Sequence, residues 1–236
     1  MLNQTSTQEP AHVYLQRLWN SGCTHEAETF MQELLKSKEE FRFFAVSWVN
    51  LLLGFIHEKL GDRAIYEVNK RLAEGFCPKV VQEWVQGGAD PENFPAEDVM
   101  RQRVRTWTMY HECRVQIDED GEKFTLTLDP CTTGGRLIAK HEAQSRNPME
   151  QIEGVKDISQ IKGLVALNHP YPWTAGIKNL PVFCQHCLQI WEIGPANRTG
   201  FPIIVFEPPK NAKEPCVQRI YKKPSNIPLD ILARYK

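Results

Sequence analysis

Apolar positions in the first hundred residues recur every three or four residues, the spacing of amphipathic helices, and from His111 onward the period shortens to two. Before that change the pattern predicts a series of helices. Residues 12–19 carry Val13, Leu15, Leu18 and Trp19 as a stripe. Residues 24–37 have Thr24 as N-cap and Phe30, Met31, Leu34 and Leu35 at helical spacing, with Lys36 and Lys38 at the C-terminal end. Residues 39–60 form the most apolar helix, stopped by Gly61-Asp62, and residues 63–74 follow up to Gly75. Cys77-Pro78 opens a short helix through Val85, with Pro78 in the first turn. After the loop Gly87-Gly88-Ala89-Asp90-Pro91, residues 95–109 are expected as one more helix. Its Val99, Val104 and Trp107 lie on one side and Arg101, Arg103 and Arg105 largely on the other. The arginines are expected on a solvated face, the alternative being that one turns inward toward an anionic ligand.

The period of two predicts strands. His111, Cys113, Val115 and Ile117 alternate with Glu112, Arg114 and Gln116, Asp118-Glu119-Asp120-Gly121 makes a hairpin turn, and Phe124, Leu126 and Leu128 return. The return strand runs into Asp129-Pro130-Cys131, which places Cys131 at the end of the sheet where His111 and Cys113 begin. Residues 140–162 are polar and predict a long surface loop or lid. Residues 201–206 are a buried strand, 216–221 a weaker one, and 228–235 a short helix. The fold class expected is α+β, with a helical N-terminal half (residues 1–106) packed on a mostly antiparallel, loop-rich C-terminal half (residues 107–236) in one integrated domain.

Composition narrows the function classes. Hydrophobic residues at 42% and charged residues at 24% suit a globular chain, and a net charge of −1 with interspersed signs offers no footprint for nucleic acid or for a membrane surface. The longest apolar run, residues 43–56, is shorter than the ~20 residues that span a bilayer and carries Ser47 and Asn50, so it predicts a buried core helix. Seven cysteines in no framework spacing, and a polar N-terminus without an apolar leader core, predict a reducing, cytoplasmic setting.

The densest chemistry lies in residues 180–192, LPVFCQHCLQIWE. Cys184 and Cys187 form a C-x-x-C pair, which serves either as adjacent ligands of one tetrahedral metal or as a redox couple. Two loops offer the remaining ligands, Cys131 in DPCTTGGR and His169 in NHPYPW. The set Cys131, His169, Cys184 and Cys187 composes a site for zinc or another divalent transition metal, with Cys23 and Cys216 outside it. His111 and His186 are candidate proton carriers, with Glu112 a weaker one, and His111 is also the rival to His169 as ligand. Gly134 and Gly135 are read as a turn whose backbone N–H groups gather an anion. Arg136 supplies a fork for a carboxylate or phosphate, and Trp173, with Tyr171 and Trp191, walls the pocket.

Three functions remain open on these residues. The first is a zinc-dependent hydrolase or lyase acting on a small acidic substrate, the second a ligand-binding module with a structural zinc site, and the third a thiol redox protein. Three cysteines and a histidine would fill a zinc tetrahedron, and a filled tetrahedron is structural. The chain contains no G-x-S-x-G and no H-E-x-x-H, which excludes two common hydrolase devices.

Overall fold

A computed structural model describes residues 10–75, 79–145 and 164–235, so the expected helix opening at Cys77-Pro78 and most of the expected lid lie outside the described residues. The architecture is α+β, with helices in the N-terminal half and an antiparallel sheet in the C-terminal half. The chain divides between Ala45 and Val46 into two compact units. In the first, α1 (Ala11–Asn20) ends at Gly22, whose positive φ of 76° lets Cys23 N–H return to the Leu18 carbonyl at 3.0 Å. Tyr14 and Phe30 meet there edge to face at 4.7 Å.

One helix, α2 (Thr24–Leu60), replaces the two predicted over residues 24–60. No Gly or Pro stands between Thr24 and Leu53, and Lys36 and Lys38 are good helix formers, so nothing in the sequence stops the first segment. Its apolar run is not the buried core helix expected. Leu53 and Asn50 are buried, yet Trp48 and Leu51 are 58% and 66% exposed, and only 17% of the most apolar 18-residue stretch is buried. By length and composition alone α2 would also pass as a membrane span.

The second unit carries α3 (Asp62–Gly75), α4 (Lys79–Gln86) and α5 (Ala96–Arg105), then a four-stranded sheet in the order β1-β2-β6-β5. Strands β1 (Val115–Glu119) and β2 (Lys123–Leu128) make the predicted hairpin. Asp120 fastens its turn by accepting from Glu122 N–H at 2.8 Å and Lys123 N–H at 2.9 Å. Strand β6 (Cys216–Tyr221) pairs with β2 so that Cys216 stands opposite Leu128, and β5 (Val205–Glu207) pairs with β6. Strand β1 starts four residues later than expected. The chain leaves α5 through a π-turn, Thr106–Tyr110, and Cys113 N–H still reaches back to the Trp107 carbonyl at 2.9 Å. Residues 201–204 are buried as predicted but lie outside the strand.

Two further elements frame the site. Helix α6 (Gly134–Ser145) begins where a Gly-Gly loop was expected. After the short pair β3 (Ala166–Leu167) and β4 (Leu180–Pro181), α7 (Gln185–Leu188) runs into a second π-turn, Gln189–Ile193, and then α8 (Gly194–Thr199). A Cβ on Gly194 would lie 2.4 Å from the Gln189 carbonyl oxygen, so the wide turn requires glycine there. The chain closes with α9 (Leu229–Leu232).

Candidate functional site

Four cysteine thiols line one small cavity of about 20 Å3: Cys131, Cys184, Cys187 and Cys216. Each arrives by a different local device. Cys131 follows the end of β2 and precedes α6, Cys184 and Cys187 bracket the first turn of α7, and Cys216 opens β6 two strand positions from the buried Gln218. No disulfide joins them. Each of three thiols rests on a polar neighbour: Cys131 on the Thr133 hydroxyl at 3.3 Å, Cys187 on His186 Nε2 at 3.3 Å, and Cys216 on Gln218 Nε2 at 3.9 Å. The thiols therefore surround a space. Among the described residues, no three His, Cys, Asp or Glu side chains are close enough to hold one ion.

The N-terminus of α6 faces this space through Gly134 and Gly135. A Cβ on Gly134 would stand 2.7 Å from Cys184 Sγ, and one on Gly135 3.1 Å from Cys131 Cβ. The glycines thus serve close approach of two cysteines to a helix end, whose positive dipole favours thiolate. Burial and the neighbouring cysteines push the Cys184 and Cys216 thiols well up. For Cys187 burial acts in the same direction, but His186 and Arg103 outweigh it and bring the thiol down to about 7. His186 donates from Nδ1 to the Phe183 carbonyl, which fixes the tautomer and turns Nε2 to Cys187. Burial works to lower His186, and Cys187 reverses that to a net rise.

Arg103 is the buried cation of the site, 4% exposed. Its Nε donates to Gln218 Oε1 at 2.8 Å, and Trp107 Nε1 donates to the same oxygen at 3.3 Å. The guanidinium carbon sits 4.7 Å from the ring centres of both Trp107 and Trp191. These tryptophans come from the two π-turns, which turn both rings over one arginine. Burial lowers the Arg103 pKa, and Cys187, Cys216 and Cys131 oppose that drop. No ion pair joins Arg103 to a carboxylate among the described residues; its guanidinium meets the Cys187 thiol, while Nη2 has no hydrogen-bond partner.

The solvated-face expectation therefore fails for Arg103. Residues two apart on a helix are about 200° apart, so Arg101, Arg103 and Arg105 cannot share a face, whereas Val99, Arg103 and Trp107 recur every four residues and do. Arg101 stays outside, paired with Glu97 at 2.6 Å.

A second cavity of about 210 Å3 adjoins the thiols and shares Cys187, His186, Thr133, Trp107 and Phe183 with the first. Arg103, Gln102, His111, Thr106, Ile190 and Trp191 also line it. His111 stacks against Trp107 with ring centres 4.8 Å apart, and its carbonyl accepts from Thr132 Oγ1 at 2.7 Å, which ties this segment to the Cys131 loop. Glu112 follows it with a φ of 49°.

Of the residues singled out by sequence, Cys131, Cys184, Cys187, His186, Gly134 and Gly135 meet at the first cavity, and His111 lines the second. His169 lies elsewhere, exposed, with its ring edge against Tyr171. Trp173 stacks on Tyr171 at 4.3 Å beside Arg63, and Arg136 sits half-buried in the first turn of α6, so neither lines these cavities. The residues missed were Cys216, Arg103 and Gln218. No family model, characterised protein or solved structure matches this chain.

Proposed function

We propose that the chain binds a thiolate-ligated metal centre through Cys131, Cys184, Cys187 and Cys216. The observation that carries this reading is a buried guanidinium set against thiols with no carboxylate to balance it. An uncompensated buried charge is costly, and thiolates are the nearest groups able to become its counter-charge. A metal is what holds several buried thiolates ionised together. Arg103 and the N-terminus of α6 then offset part of the residual negative charge of a metal with four thiolate ligands.

Zinc is one ion that suits this donor chemistry, although the thiols would have to draw together from where they stand to reach it. Four thiolates around it leave no open position, so such a site staples loops and does not activate water. A second occupant, an iron–sulfur cluster, is favoured by one feature: the thiols line a cavity that admits a water-sized sphere, whereas thiolates ~2.3 Å from a shared zinc leave no such gap. Metal and acid-labile sulfide analysis of protein purified without additions distinguishes them. Zinc alone supports the first occupant, and iron with matching sulfide supports the second. Neither metal, with all four thiols freely alkylated in the native state, removes the centre altogether.

Gly134→Ala gives an independent check. The added methyl group must displace Cys184 Sγ, which turns easily when unligated and not when ligated. Metal affinity should fall on the order of 10–100-fold, the usual scale for disturbing a ligand's support. The metal-free protein should stay close to wild type in stability, because an unligated Cys184 side chain can turn away from the added methyl group. Equal metal affinity in both proteins would show that Cys184 is no ligand.

A further inference from the structure

We infer that the cavity of about 210 Å3 beside the thiols is a binding site for a small carboxylate, with Arg103 as its anchor. Arg103 lines this cavity, and its Nη2 is buried without a partner. Gln102 Oε1, on the same wall, is likewise buried and unpartnered. Two such atoms on one empty space are a donor and an adaptable amide awaiting a ligand, since buried polar groups are otherwise satisfied. The amide can turn its NH2 toward an acceptor. One carboxylate oxygen would take Arg103 Nη2 and the other the Gln102 amide.

The surroundings specify the class further. Trp107 and Trp191 flank the guanidinium, and Gln218 holds Nε, so the plane of the fork is fixed and its outer edge is left to donate. At ~30 Å3 per water, 210 Å3 is the room of about seven waters, which suits an acid of a few carbons. Ile190, Phe183 and Val46 offer apolar wall for the carbon chain. Among the described residues, Arg103 is the only Lys or Arg lining the cavity, and one guanidinium matches a single carboxylate charge. The acidic-ligand role that sequence gave to Arg136 passes to Arg103. Thiolates on a metal would share the Arg103 charge with the carboxylate and weaken its binding, while Nη2 and the Gln102 amide stay without other partners.

Calorimetric titration of the full chain with propionate and with succinate, and with propionamide as the neutral isostere, tests it. Saturable binding of at least one acid and none of the amide is expected. Arg103→Gln should lose affinity on the order of tenfold or more, and Gln102→Leu several-fold. Metal content is measured on the same samples, so loss of the centre is told apart from loss of the anion. If Arg103→Gln does not fold, Gln102→Leu still decides. Wild type that binds neither acid, propionamide that binds as well as propionate, or a folded Gln102→Leu with undiminished affinity each overturn the inference.

Discussion

If the four thiols hold a metal as proposed, Cys216→Ser should strip the protein of it and lower its unfolding midpoint, while Cys23→Ser and His169→Ala leave both unchanged. Cys216 lines the thiol cavity together with Cys131, Cys184 and Cys187. Cys23 belongs to the other compact unit, and His169 is exposed beside Tyr171. Metal binding contributes to folding, ~10–16 kcal/mol for structural zinc in small peptides, and losing one ligand in four forfeits a large part of that. The serine is nearly isosteric, so packing around the site stays close to wild type and the loss reports on ligation. Elemental analysis and denaturant titration of the three variants read the outcome. If Cys216→Ser keeps full occupancy and His169→Ala loses it, the ligand set is the one read from sequence, and the cavity with four thiols is a coincidence of packing.

Glu192 should make the protein less stable as pH rises from about 4.5 to about 7. Its carboxyl is fully buried, accepts from Phe206 N–H at 2.6 Å and meets the Tyr235 hydroxyl, and burial raises its pKa from 4.5 to about 7 despite those bonds. Below pH ~4.5 the group is neutral in both folded and unfolded chains and costs nothing. Between the two values the unfolded chain releases the proton and the folded one keeps it, so stability falls with rising pH, and above pH ~7 the loss is complete. A rise of roughly 2.5 pH units at ~1.4 kcal/mol each bounds the effect at about 3–4 kcal/mol. Glu192→Gln keeps an acceptor for Phe206 N–H and removes the titration, while Tyr235, which now donates to Glu192, would have to accept from the amide N–H. Denaturant midpoints from pH 4.5 to 8 should fall for wild type relative to the variant, which should be the more stable protein at pH 8. Parallel curves for the two proteins would mean that Glu192 ionises in the folded state as it does in water.

The parts of the site that sequence made legible were those announced by local punctuation. The C-x-x-C of Cys184 and Cys187, the Pro-Cys-Thr-Thr-Gly-Gly run at Cys131 and the hairpin at Asp120 all sit where short-range rules apply. Cys216 was hidden because its meaning depends on register. Only when β6 is laid beside β2 do Cys216, Gln218 and Ile220 share one buried face, and a polar Gln218 alternating with apolar neighbours was the one available hint. Arg103 was hidden by reading three arginines at alternate positions as one face, a strand rule applied to a helix. The Gly-Gly pair was read as a turn gathering an anion, and its geometry is a helix start approached by two cysteines. For α2 the apolar run predicted burial, and no local feature distinguishes an apolar face with a partner from one left to solvent.

The pairing of Leu128 with Cys216 also sets an order of events. Cys131 leaves the ribosome first, the Cys184 and Cys187 pair next, and Cys216 last, 85 residues after Cys131 (216 − 131). Three thiols are thus available before the strand that delivers the fourth has been synthesised. A slip of one residue in β6 against β2 would turn Cys216 to the opposite face of the sheet while leaving the other three in place. If the four thiols hold a metal as proposed, its loading would reward the correct strand pairing, because only the correctly registered chain brings Cys216 to the other three.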